Sequence, residues 1–191
     1  NSRAMAWDIG ASQNAIVSTI GTSSREYSTV AAWTADLDDD DYYGAGSTVR
    51  GECYDDSDFS ITTGITVDGG GTVGLDTVIL SVPVGQRHDG TAKEVGGSGV
   101  RFLWAADGNT NYFRINEARE SWVEWIDFDV NGHGLHGGST IAPLELRGGI
   151  YQQYSNGATW CIVHDNTGQE TVGGNDHTVG IYAVGWGKFI V

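Results

Sequence analysis

Asp127 and Asp129 stand two residues apart in a segment of alternating apolar residues. In a strand that spacing puts both carboxylates on one outer face. Paired carboxylates across a glycosidic bond can act as acid and as base or nucleophile, so this pair is the candidate catalytic site. Acids that alternate on a solvated face are commonplace, and that is the stronger reading of the spacing. Glu52, Asp55, Asp56 and Asp58 form the densest mixed acidic cluster. Oxygen ligands of this kind suit Ca2+, the one cofactor the sequence suggests. A calcium-dependent lyase would also need a base, and Arg50 and Arg87 are the only nearby ones in sequence. Surface solvation is again the stronger reading.

Tyr42, Tyr43, Tyr151 and Tyr154 lie in polar, loop-like contexts. Their rings could stack on sugars or on a partner subunit, or simply cover corners of the fold. His133, His136, His164 and His177 lie near glycine turns, and Gly132-His133-Gly134-Leu135-His136-Gly137 could bring two imidazoles together. With no cysteine close by, turn filling is the better account. Cys53 and Cys161 match no metal-ligand spacing and suit core positions; whether they pair is left open.

The elements that must position these residues are short. The 191 residues hold 29 glycines but 2 prolines, with 7 tryptophans and 8 tyrosines, which predicts many tight turns between aromatic-rich strands. Twenty-five acidic against 10 basic residues give a formal charge of −15, which repels phosphate backbones and anionic membranes and argues against a nucleic-acid partner. No stretch reaches the length of a membrane span, so no membrane insertion is expected.

Residues 1–15 read as an N-terminal arm or first strand, with Met5, Trp7 and Ile9 alternating, and 16–191 as one domain. Val30, Trp33 and Leu37 follow Ser28 at helical spacing and predict one short helix near 28–37, with Ser28 as N-cap, covering the apolar end of the first coil. Asp38 to Asp41 read as a solvated loop. Beyond it come alternating runs: Val49-Gly51-Cys53, Val78-Leu80-Val82-Val84, and Phe113 with Ile115. Between Trp125 and Ile126 the phase changes, as at a corner. Strand centres near Phe102, Phe113 and Trp125 recur about every dozen residues, the mark of coils built from short strands. The predicted fold is therefore all-β, a right-handed parallel β-helix or solenoid with a short N-terminal capping helix; a β-sandwich is the alternative.

Tyr27 to Trp33, Gly51 to Phe59, Thr77 to Val82 and Gly85 to Gly90 resemble a group of right-handed β-helix proteins found in tailed-phage and marine environmental sequences. Val123 to Gly132 and Cys161 to Asn166 look like ordinary coils of that fold. The resemblance implies a virion-surface or extracellular location and a structural, decoration or fibre role without catalysis. Its partners would be itself or other subunits of the same assembly. The alternative it implies is a tailspike-like module that binds or cleaves surface glycans. The apolar ending Phe189-Ile190-Val191 is expected to meet further sequence or another subunit.

Overall fold

The computed structural model describes residues 15–37, 43–68, 74–105, 113–116, 120–129, 144–147, 155–164, 181–184 and 188–190. In chain order the elements are β1 (Ile16–Ile20), α1 (Val30–Asp36), β2 (Thr48–Cys53), β3 (Phe59–Ile61), β4 (Ile65–Asp68) and β5 (Thr77–Ser81). They continue with β6 (Arg101–Trp104), β7 (Phe113–Asn116), β8 (Glu120–Glu124), β9 (Asp127–Asp129) and β10 (Leu144–Arg147). The last are β11 (Ser155–Thr159), β12 (Ile162–His164), β13 (Ile181–Val184) and β14 (Lys188–Ile190). The domain is built on parallel β-sheet, with one helix near its N-terminus.

The strands form three sheets: a long one in the order β1-β2-β5-β8-β11-β14, a second of β3-β6-β9-β12 and a third of β4-β7-β10-β13. From β2 onward, neighbours within a sheet are three strands apart in the chain. All strand pairings among the described residues are parallel. The antiparallel pairs a β-sandwich requires are not found there. Between β1 and β2 the step differs: α1 stands where two further strands would otherwise come.

Alternation explains the inward face. In β2, Val49, Gly51 and Cys53 are buried, while Thr48, Arg50 and Glu52 are half-buried on the other side. Cys53 is fully enclosed, and burial pushes its thiol pKa up; both cysteines are free thiols. In β5 both faces are covered, because outward Ile79 lies in register between Arg50 and Trp122. Val84 departs from the expected alternation. It belongs to a 3-10 turn, Val84–Gln86, and is 77% exposed, because the chain leaves the sheet after Val82.

The helix begins one residue later than predicted. Thr29, not Ser28, is the N-cap: its backbone is extended and its hydroxyl accepts a hydrogen bond from the Ala32 N–H at 3.1 Å. Val30, Trp33 and Leu37 are buried and seat α1 against β4, β1 and β2. Gly51 makes that seating possible, since a Cβ there would lie 2.8 Å from Trp33 Cε2 and 2.9 Å from Ile20 Cδ1. Thr29→Ala is expected to cost about 1 kcal/mol by exposing the first-turn N–H groups, and urea unfolding followed by tryptophan fluorescence measures it. A change below a few tenths would mean that tertiary packing alone fixes the helix start.

Candidate functional site

The second sheet carries the acidic pair. Register places Arg101 beside Asp127, and Leu103 beside Asp129, with His164 on the far side of Asp129. Asp127 and Asp129 do share a face, but it is not solvated: they are 0% and 2% exposed. The cause is the long connection from Val82 to Val100, whose second 3-10 turn, Lys93–Val95, lies over β9. The Lys93 backbone N–H donates to Asp127 Oδ2 at 2.8 Å. Its ammonium reaches Asp55 and Asp58, the latter at 3.2 Å. Arg101 donates from Nη2 to Asp58 and from Nη1 to Asp129 Oδ2 at 3.2 Å.

The physical character of the site follows from these partners. The Arg101 hydrogen bond holds the Asp58 carboxyl below the usual carboxylate range, against the opposing effect of burial. Burial works against the Lys93 charge, but Asp55 and Asp58 outweigh it and raise its pKa. Asp58 is thereby an anchored anion, and Asp127 accepts a hydrogen bond from the strapped-down loop. In this arrangement Asp127 and Asp129 hold structure and offer no open acid and base flanking a groove.

The proposed calcium ligands also separate. Asp56 accepts a two-pronged pair from Arg25, at 2.9 and 2.8 Å, and its carboxyl is held low by that guanidinium. Glu52 lies 3.5 Å from Arg50, while Asp55 and Asp58 share Lys93. Among the described residues no three His, Cys, Asp or Glu side chains converge to hold a metal. Of the two bases adjacent in sequence, Arg50 also reaches Ser81 and buried Glu124. Arg87 turns away to the Val82 carbonyl and the Trp125 ring. The bases that hold Asp55, Asp56 and Asp58 are Arg25, Lys93 and Arg101, which only the fold brings near.

Tyr43 is no stacking platform either. Its ring is 3% exposed and its hydroxyl lies 3.2 Å from Ser18 Oγ. Tyr42, Tyr151 and Tyr154, together with His133, His136, His177, Asp38 to Asp41 and the arm at 1–14, lie outside the described residues.

A surface the sequence did not single out sits at the corner between the long and second sheets. Trp125 follows β8 and Trp160 follows β11, each in the left-handed region at φ 63° and 56°. Trp125 is thus a corner residue and not a strand centre, and the phase change after it is the corner. Bulky side chains adopt that conformation at a cost of about 1–2 kcal/mol each. Because consecutive corners repeat one backbone turn, the indoles stack, with centroids 5.3 Å apart and planes 14° from parallel. His88 tilts against Trp125, Arg87 covers it at 4.8 Å, and Trp160 is 56% exposed. The signal for this ladder was the recurrence of tryptophan directly after two paired strands.

No protein-family model, curated protein or solved structure matches this chain.

Proposed function

We propose that the chain winds as a right-handed parallel β-helix and serves as a non-catalytic structural component of a virion or other extracellular surface assembly. The observation that carries this reading is the three-strand step repeated in all three parallel sheets. Parallel crossovers are right-handed in the great majority of cases, which supplies the hand. The outer faces add support, since ion pairs there tie successive levels together, Arg25 to Asp56 and Arg101 to Asp58, and Arg50 reaches across β5 to Glu124. Such a surface suits a rigid spacer or fibre segment. The test is sedimentation equilibrium of the full-length native protein, with long trypsin digestion alongside. A discrete oligomer or polymer that survives digestion supports the assembly role. A digestible monomer overturns it.

A second reading, glycan binding, is favoured by one observation, the exposed Trp160 indole backed by Trp125. Flat indoles stack on the C–H faces of pyranoses while ring edges stay wet. On this reading cellohexaose quenches tryptophan fluorescence, and Trp160→Ala weakens the midpoint at least about tenfold, the loss of one well-placed stacking contact. Quenching that is equal in the variant removes this surface from consideration.

A further inference from the structure

The helix that replaces two strands between β1 and β2 leaves a strand position empty. The second sheet starts at β3, one level below β1, so the place beside β3 at the level of β1 holds no strand of the described chain. A groove of about 330 Å³ lies there. Thr22, Ser28 and Thr29 line it on the α1 side, and Ser60, Thr62 and Thr63 on the β3 side. Its floor carries the free edge of β3. Ile61 gives its carbonyl to the Ala105 N–H beyond β6. In a parallel strand alternate residues bond to opposite neighbours. Ser60, paired in register with Leu103, therefore turns its N–H and C=O away from β6 and into the groove.

We propose that this groove is a docking site for an extended segment of a partner protein, which adds beside β3 as a further parallel strand. Three arguments favour a peptide strand. The groove continues an existing ladder, whose edge offers one donor and one acceptor at strand spacing. It runs alongside three ladder residues, Phe59–Ile61, which sets the length of the paired part. Its one charged lining residue, Asp58, is already held by Lys93 and Arg101, so the wall is neutral and rich in hydroxyls. The net charge of −15 turns acidic segments away, and the occupant is a neutral or basic segment of small and β-branched residues. This inference rests on the ladder alone and not on the assembly role proposed above.

The test uses the full chain and a blocked hexapeptide of alternating threonine and valine. Amide hydrogen exchange and NMR shifts are read at Ser60, Thr62 and Thr29. The peptide is expected to slow Ser60 exchange about tenfold, since that N–H becomes paired. A peptide N-methylated along one edge should lose the effect. Ser60→Ala keeps the backbone groups and should bind as the native chain does, whereas Ser60→Pro removes the donor and should not. Equal binding by the methylated peptide, or loss of binding in Ser60→Ala, overturns strand addition. So does the absence of any peptide response. Shifts at the same residues with cellohexaose and none with peptide would make the groove a glycan site and also overturn the proposal.

Discussion

Phe128→Ala is expected to destabilise the protein by about 4 kcal/mol, the cost of truncating a fully enclosed phenylalanine and leaving a cavity. Phe128 is 0% exposed and ends an aromatic row, Phe59, Phe102 and Phe128, on the inward face of the second sheet. Its ring meets Phe102 edge-on at 5.5 Å and Trp104 at 6.3 Å, and Phe102 in turn meets Phe59 at 5.1 Å. Register fixes Phe59, Phe102 and Phe128 one above another, so the backbone has little freedom to close the gap. Domains of this size are stable by about 5–15 kcal/mol, so the variant should unfold at much lower urea with an unchanged dependence on denaturant. A loss below about 1 kcal/mol would show that the row repacks and does not form a fixed core.

Arg101→Met is the second large effect, about 3 kcal/mol at pH 7, because it keeps most of the side-chain volume but removes the charge that faces Asp58 and buried Asp129. Its pH dependence separates a lost charge from lost packing. The folded-state pKa of Asp58 is depressed, first by Arg101. Its contribution is therefore complete above the unfolded value near 4 and disappears as pH falls through the folded value. The difference between native and variant proteins should be full at neutral pH, shrink as pH falls below about 4, and vanish only below the depressed folded-state value, where the carboxyl is protonated in both. A difference that stays constant from pH 7 to pH 2 would mean that packing of the arginine stem accounts for the loss.

Much of the scaffold was legible in the residues because alternation is a local property. Val49, Gly51 and Cys53 face inward as their spacing predicts, and the helix at Val30, Trp33 and Leu37 lies where its period placed it. The corner after Trp125 announced itself as a change of phase. The site was less legible because its chemistry depends on register. Asp127 and Asp129 looked solvated from their own strand, and only the connection through Lys93, folded back over β9, buries them. The partners of Asp58 come from Lys93 and Arg101 on other elements. Arg101 could have been placed by noticing that Phe59 and Phe102 are strand neighbours, which puts the residue before each side by side. Tyr43 misled because its polar sequence context concealed a ring enclosed beneath β1 and next to Ser18.

The three-strand step also governs how the molecule should yield to force. Each strand of the long sheet pairs with a segment roughly 30–45 residues away, and among the described residues no pairing joins the first strand to the last, so contact separation stays similar along the chain. A pull on the two ends would therefore load the outermost strands first and peel them away one turn at a time, with the interior still intact. Extension should appear as a staircase of similar steps, each releasing the chain between paired strands, and the neighbouring levels that carry Arg101 and Phe128 should be among the last to give way.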